Sequence, residues 1–173
     1  PRLAPAQIVI LPILHKEELR ALSERQYYDE FNIAPRNTVW EYWRSGGSTG
    51  KPLFYPRSFE DSSYCLLSFA RGLECAGVGK GDTAHISYPL GIHPVGHMYA
   101  RVAQAAGVGV NWAGSGAGTP SAVQIQLLRD LKPTVWMGMS SYGIHLANLA
   151  EASGIDLAAI GVKKIVPSAE PLS

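Results

Sequence analysis

From residue 83 onward, the sequence alternates between strand-like and helix-like segments. The strand-like runs recur every 25 to 29 residues, at Thr83–Ser87, Val108–Trp112, Thr134–Gly138 and Lys163–Val166. Helical patterns lie between them, at Met98–Ala106, Ser121–Leu131 and Ser141–Ala152. This alternation is typical of βαβ units. We therefore predict an α/β fold with a mainly parallel sheet flanked by helices.

In a parallel sheet, ligands bind beside the carboxyl ends of the strands. The predicted strands place four segments along that edge, which we call the rim. They are Tyr88–His97, Ala113–Thr119, Met139–Tyr142 and Pro167–Ser173.

Capping residues predict where two of the helices begin and end. Ser58 and Asp61 form a variant of the capping box before a helix at Phe59–Ala76, which Gly77 ends. Thr119 is the predicted N-cap of the helix at Ser121–Leu131, with Pro120 at its first helical position.

The first half of the chain is less regular. A helix is predicted at Lys16–Arg25, and strands at Thr38–Arg44 and Leu53–Tyr55 flank a glycine-rich loop. We expect residues 1–37 to form a helical or irregular segment outside the sheet. Residues 38–173 form the predicted α/β domain, which we expect to be truncated at its C-terminal end.

Composition excludes several classes of partner. The 15 Lys and Arg nearly balance the 14 Asp and Glu, so no charge excess points to nucleic acid or a membrane surface. The longest apolar stretch, Ile8–Leu14, contains Pro12 and is too short to span a bilayer. Cys65 and Cys75 have neither metal-ligand nor disulfide spacing, and we expect both to be reduced. These features favour a cytoplasmic protein.

The glycine-rich loop has the composition of a phosphate-binding site. Glycines let backbone N–H groups turn toward an anion, hydroxyls add donors, and lysine adds a mobile positive charge. A Walker A loop is excluded, because its first glycine and its final hydroxyl residue would fall at Ser45 and Pro52. A flexible hairpin loop remains the alternative. The residues are Ser45, Gly46, Gly47, Ser48, Thr49, Gly50, Lys51 and Pro52.

This loop, followed by Leu53-Phe54-Tyr55, resembles the S-G-T-T-G-K-P loop of acyl-adenylate-forming enzymes. Further segments resemble phenylacetate–CoA ligases in the same order along the chain. These segments are Leu11–Arg20 for P-V-x-x-K-x-D-L-R, Glu74–Asp82 for A-G-V-x-x-G-D, Gln124–Pro133 for R-Q-I-Q-L-I-x-D-x-x-P, Ser140–Tyr142 for T-P-S-Y, and Ser168–Pro171 for G-A-E-P.

The resemblance implies that the chain is part of the large N-terminal domain of an AMP-forming carboxylate:CoA ligase. Its loop, Ser45 to Lys51, would hold the β- and γ-phosphates of ATP, although Gly47 and Ser48 replace the usual threonines. The adenine would lie along the G-A-E-P segment. Its residues here are Ser168, Ala169, Glu170 and Pro171.

The resemblance also assigns an acyl pocket. His93 stands where phenylacetate–CoA ligases usually carry phenylalanine, so we expect an acid that bears a hydroxyl or amino group. The other expected pocket residues are Tyr88, Gly96, Ser141 and Tyr142.

Two other site types are weaker interpretations. His85, His93 and His97 suggest a metal site, but Pro94 interrupts the spacing and no carboxylate or Cys completes a set, so we predict no metal ligands. Gly114-Ser115-Gly116 suggests a dinucleotide fold, but Thr119 breaks the fingerprint. We interpret this turn as lining the acyl or nucleotide cleft.

The sequence thus predicts adenylation of a carboxylic acid, expected to be aromatic, and then thioester formation with coenzyme A, using ATP and Mg²⁺. The resemblance places no catalytic residue within the chain and implies a missing C-terminal part with the magnesium-associated glutamate and the catalytic lysine. The fragment alone should be inactive. The alternatives are a relative that passes the acyl group to an amine or carrier protein or that adenylates a cofactor, and a non-catalytic nucleotide-binding module. A homodimer is left open.

Overall fold

The computed structural model describes residues 12–32, 34–45 and 53–170, and their strands form two sheets. The smaller sheet is an antiparallel hairpin of β1 (Val39–Arg44) and β2 (Phe54–Ser58). The larger sheet contains β3 (Thr83–Ile86), β4 (Gly109–Asn111), β5 (Val135–Gly138) and β6 (Lys164–Pro167). Its order is β4-β3-β5-β6, and every pairing is parallel. The predicted α/β fold with a parallel sheet is confirmed.

Five α-helices are described. They are α1 (Lys16–Ala21), α2 (Phe59–Cys75), α3 (Pro94–Ala105), α4 (Ser121–Leu131) and α5 (Ser140–Ala152). A π-helical turn at Gln26–Phe31 and 3-10 turns at Arg36–Thr38 and Leu157–Ile160 complete the regular structure of the described residues.

Alternate residues of β5 enter two different cores. Val135 and Met137 pack in a cluster with residues of α2 and α3, whereas Trp136 packs with residues of α4 and α5. Successive side chains of a strand point to opposite faces of the sheet. The helices therefore cover both faces, with α2 and α3 on one and α4 and α5 on the other.

The predicted ends of α2 are confirmed. Ser58 Oγ accepts from Asp61 N at 3.1 Å, and Asp61 Oδ2 accepts from Ser58 N at 3.0 Å, which completes the capping box. Gly77 follows the helix with φ +64°, and its N–H donates to Glu74 O at 2.9 Å. Glycine adopts this left-handed conformation without a Cβ penalty.

Three predicted helix boundaries were wrong. The helix predicted at Lys16–Arg25 ends at Ala21, because Ser23 and Gln26 bond reciprocally and begin a new turn. Helix α3 begins at Pro94 rather than Met98, which agrees with the preference of proline for a first helical turn.

The third error concerns α4. Its N-cap is Pro120 rather than Thr119, and Thr119 Oγ1 instead donates to Ala113 O. The threonine hydroxyl closes the preceding loop instead of capping the helix. Local side-chain bonds of this kind compete with capping.

An ion pair joins the starts of three strands of the larger sheet. Asp82 Oδ2 accepts from Lys164 Nζ at 2.7 Å and from Gly79 N at 3.0 Å, and Asp82 Oδ1 accepts from Thr134 Oγ1 at 2.7 Å. The bond from Lys164, with those from Gly79 and Thr134, lowers the Asp82 pKa to about 2. This cluster lies at the edge of the sheet opposite the rim.

Among the described residues, no helix combines the length and the apolar character that crossing a membrane requires. The division into residues 1–37 and 38–173 stays a prediction.

Candidate functional site

The connections of the sheet locate a crevice on the rim. After β3 the chain enters α3 on one face of the sheet, and after β5 it enters α5 on the other face. Neighbouring strands whose helices depart to opposite faces define a topological switch point, where ligands bind in open α/β sheets. The loops after β3 and β5 therefore flank the expected binding crevice.

We call the part of the rim segment Tyr88–His97 that precedes α3 the acyl loop. Its first residue, Tyr88, belongs to the core. Its side chain is fully buried, its hydroxyl donates to Val166 O at 3.0 Å, and its ring stacks on Tyr99 with centroids 5.2 Å apart. Burial raises the pKa of the Tyr88 phenol, so this group is a fixed neutral donor. Tyr88 anchors the acyl loop to β6, while its role as a pocket residue stays a prediction.

Gly96 lies where α3 crosses the acyl loop. A Cβ at this position would lie 2.8 Å from Pro89 O and 2.9 Å from Leu90 Cδ2. Such distances are shorter than van der Waals contact, so only glycine lets the helix approach this closely. The structure thus gives Gly96 a packing role beside the expected pocket.

His93 and His97 occupy the start of α3. His93 is the half-buried N-cap, and His97 Nε2 donates to Gly91 O at 3.0 Å when that nitrogen carries the proton. The His97 ring lies between Trp43 and Trp112, with centroids 5.4 and 6.5 Å away. His97 thereby joins the acyl loop to the hairpin strand β1.

The hairpin brings the base of the glycine-rich loop to the acyl loop. Arg44 N donates to Ile92 O at 3.1 Å, next to His93. One residue further on, Ser45 N donates to Leu53 O and Ser45 Oγ accepts from Leu53 N, both at 2.9 Å. The predicted phosphate-binding residues Gly46, Gly47, Ser48, Thr49, Gly50 and Lys51, with Pro52, lie outside the described residues.

The predicted adenine-side and acyl-side residues meet at the start of α5. Ser141 donates to Glu170 twice, from N to Oε2 at 2.9 Å and from Oγ to Oε1 at 2.8 Å. The bond from the Ser141 amide, reinforced by its hydroxyl, lowers the Glu170 pKa. Ala169, with φ +72°, turns the chain between Ser168 and Glu170. Pro171 lies outside the described residues.

Tyr142, the remaining predicted pocket residue, faces the loop after β4. Its hydroxyl lies 3.2 Å from Ser121 Oγ. A Cβ on Gly116 would lie only 3.0 Å from that hydroxyl. Tyr142 therefore packs closely against the 113–119 loop, and a Cβ at position 116 would require the Tyr142 ring to move by a few tenths of an ångström.

A buried polar network beneath the rim was not predicted as a site. Asn111 Nδ2 donates to His85 Nδ1 at 2.8 Å, and His85 Nε2 and Ser87 Oγ donate to Gln124 Oε1 at 3.2 and 2.8 Å. Burial lowers the His85 pKa, and the bond to Gln124 opposes this effect only in part. A sequence signal exists, because Gln124 interrupts the apolar stripe of α4 beside Ile125.

Two cavities lie beside the helices, and the first of them borders the rim at Ser140 and Pro167. One, of about 440 Å³, is lined almost entirely by apolar side chains of α4, α5, β6 and the 3-10 turn at Leu157–Ile160. The other, of about 610 Å³, lies between α2 and α3. A triphosphate needs several hydrogen-bond donors and positive charge, so the rim suits a nucleotide better than either cavity does.

No group of three or more His, Cys, Asp or Glu side chains within the described residues could hold a metal ion. Magnesium that accompanies a nucleotide is bound largely by phosphate oxygens and water, with one or two carboxylates. Such an ion would need no preformed cluster.

Comparison with known proteins agrees with this geometry. No family model matches the sequence. A crystal structure of 2-hydroxyisobutyryl-CoA ligase, in complex with 2-HIB-AMP and CoA, superposes with a TM-score of 0.80 at 23% identity, over 92% of this chain and 37% of that protein. The chain thus has the α/β fold of this part of an acid–CoA ligase.

The phenylacetate–coenzyme A ligase of Pseudomonas putida is 31% identical over 160 residues, which are 92% of this chain and 35% of that enzyme. The ligase of the same name from Aromatoleum evansii is 31% identical over 166 residues, 96% of this chain and 36% of that enzyme. By sequence, the chain is similar to phenylacetate–coenzyme A ligases, and it spans about a third of the length of these relatives. The predicted resemblance to this family is confirmed.

Proposed function

We propose that the chain contributes the phosphate-binding and acyl-binding half of an active site for ATP-dependent, AMP-forming activation of a carboxylic acid. The observation that carries this proposal is the hydrogen bond from Arg44 N to Ile92 O. It places the base of the glycine-rich loop beside the acyl loop, so that a triphosphate on one and a carboxylate on the other could react. The similarity to phenylacetate–coenzyme A ligases supports the same reaction.

In this proposal, ATP supplies the adenylyl group and pyrophosphate as leaving group, and Mg²⁺ and coenzyme A complete the reaction to acyl-CoA. The loop from Ser45 to Lys51 holds the β- and γ-phosphates, because backbone N–H groups, hydroxyls and an ammonium stabilise the charge of a polyphosphate. The segment from Ser168 to Pro171 lies along the adenine. Two hydrogen bonds from Ser141 hold Glu170 in position within this segment.

The acid is proposed to bind between the loops after β3 and β5, against His93, Gly96, Ser141, Tyr142 and the anchored Tyr88. An aromatic acid such as phenylacetate or a substituted aryl acid fits the family. His93, the N-cap of α3, would place a polar imidazole at the wall of the proposed pocket. We therefore expect a hydroxyl- or amino-substituted acid to be preferred over an unsubstituted one.

The His93 proposal is tested by His93→Phe in a full-length ligase that carries this chain. We expect kcat/KM to shift about tenfold from hydroxy or amino aryl acids toward unsubstituted aryl acids, since a polar partner of the substituent is lost. His15→Phe, at an exposed residue before α1, is the matched control. An unchanged ratio of the two acid classes would overturn the role of His93.

The activity is tested by ATP–pyrophosphate exchange with the full-length protein and a panel of aryl and small hydroxy acids. Acid-dependent exchange, followed by acyl-CoA formation on addition of coenzyme A, is the expected result. Exchange without thioester formation would favour transfer to an amine or carrier protein, and ATP binding without exchange would favour a non-catalytic module. The 173-residue chain alone should form no acyl-AMP. The cytoplasmic location stays a prediction, and a homodimer stays open.

A further inference from the structure

The side-chain amide of Gln124 is buried, and all of its hydrogen-bonding groups have partners. Its oxygen accepts from Ser87 and His85, as described above, and its Nε2 donates to Gly114 O at 2.9 Å and Thr119 O at 3.2 Å. A buried amide whose donors and acceptors are all satisfied has one favourable orientation. Gln124 therefore fixes both ends of the 113–119 loop relative to β3.

The partners of Gln124 leave no choice of that orientation. Asn111 donates to His85 Nδ1, so a neutral His85 carries its proton on Nε2 and donates to the Gln124 oxygen. The amide nitrogen must then face the two loop carbonyls. A residue that lacks the amide N–H groups would leave Gly114 O and Thr119 O without these donors.

The 113–119 loop lies between two predicted parts of the acyl pocket. Gly114 approaches Leu90 of the acyl loop, where a Cβ would lie 3.6 Å from Leu90 Cδ1, and Gly116 packs against Tyr142. Gly114 N also donates to Ile86 O at 2.8 Å, which ties the loop to the end of β3. A displacement of this loop would change the distance between Leu90 and Tyr142.

We propose that Gln124 is a positioning residue for acid binding, which acts by holding the 113–119 loop as a wall between the acyl loop and Tyr142. This inference rests on the proposed function. It assigns the affinity for the acid, rather than for ATP, to a side chain that contacts neither substrate.

The first test uses hydrogen exchange of the 173-residue chain. In Gln124→Met, which keeps the length but removes the amide, the backbone amides of residues 114–119 should exchange about tenfold faster, while those of α2 should not change. Gln126→Met is the matched control, because Gln126 is exposed on the same helix. Unchanged exchange in the loop, or equal acceleration throughout the chain, would overturn the proposal.

The second test measures kinetics in a full-length ligase that carries this chain. Gln124→Met should raise the KM for the acid about tenfold and leave the KM for ATP within about twofold. Gln124→Glu, which keeps the acceptor but not the donors, should give the same pattern, and Gln126→Met should resemble the unmodified enzyme. A merely structural role would lower kcat and leave both KM values unchanged, which would overturn the proposal.

The two tests separate this inference from the proposed function. If the unmodified full-length enzyme activates no acid, the proposed function fails and the catalytic consequence of Gln124 fails with it. Hydrogen exchange would still decide whether Gln124 holds the loop. If the unmodified enzyme is active and the acid KM of Gln124→Met does not change, only the inference about Gln124 fails.

Discussion

The rim of the parallel sheet and the β1–β2 hairpin carry the two halves of the proposed site, but they are held in different ways. On the rim, the buried side chains of Tyr88 and Gln124 bond to backbone carbonyl groups of other segments. The hairpin contacts α3 through the ion pair of Glu41 with Arg101, whose side chain is 40% exposed, and through the buried Trp43 against His97. We therefore expect the acyl half to be more firmly fixed than the phosphate half.

This difference suggests a division of labour in the proposed reaction. Buried hydrogen bonds are costly to break without replacement, whereas exposed ion pairs contribute little to stability. We expect a shift of the hairpin relative to the rim to cost less free energy than a change in the shape of the acyl pocket. Phosphate binding and acid selection would then depend on regions of different local stability.

The largest expected effect concerns the rim and compares two helical glycines. Gly96→Ala should lower the free energy of unfolding by about 2–3 kcal/mol, because the new methyl group meets Pro89 O and Leu90. Gly72→Ala in α2, where nothing lies within 4 Å of the new Cβ, should raise it by about 0.5–1 kcal/mol. Urea unfolding followed by circular dichroism measures both. Equal effects would show that the acyl loop yields to the added methyl group and is not firmly fixed.

An intermediate effect is expected at the opposite edge of the sheet, where Lys164 and Thr134 hold Asp82. The folded-state pKa is about 2, below the ordinary value of 3.8, so the unfolded chain binds more protons as the pH falls. The Asp82 carboxylate therefore contributes fully to the free energy of unfolding above about pH 5, and this contribution is lost toward pH 2. We expect the contribution to be about 1–2 kcal/mol, since solvent screens the ion pair with Lys164 in part.

Thermal unfolding between pH 5 and pH 2 checks this dependence. Asp82→Asn should remove most of it, whereas Glu74→Gln, an exposed carboxylate on α2, should leave it unchanged. An unaltered acid profile in Asp82→Asn would mean that this ion pair does not secure β6 to the sheet.

The smallest effect is expected where the hairpin meets α3. Arg101→Gln removes the 2.8 Å ion pair with Glu41, but the Arg101 side chain is 40% exposed. The free energy of unfolding should fall by about 0.5–1 kcal/mol, and the difference should shrink in high salt. Urea unfolding at two salt concentrations measures it. A loss above about 2 kcal/mol would contradict the weaker attachment of the hairpin.

The fold could be predicted because its signals are local. The spacing of strand-like runs predicted the parallel sheet, and Ser58 with Gly77 predicted the ends of α2. Predictions failed where a side chain had a competing local partner. Thr119 closes a loop instead of capping α4, and Ser23 with Gln26 begins a turn inside a predicted helix.

The contacts of the site could not be predicted, because they join residues far apart in sequence. Ser141 and Glu170 were assigned to different substrates, yet their bond depends on how the loops after β5 and β6 are placed. The partners of Gln124 lie on β3 and in the preceding loop, and no helical pattern identifies them. The motif residues could be identified in the sequence, but their relative positions depend on how the sheet arranges the loops that carry them.

Among the strands of the described residues, β6 ends the order β4-β3-β5-β6, and its Ile165 side chain is 65% exposed. An outer strand with an apolar side chain is a template for pairing between molecules. At the concentrations needed for crystallisation or NMR, this strand would promote self-association of the 173-residue chain. Ile165→Lys would place a charge on it, the device by which natural sheets resist aggregation.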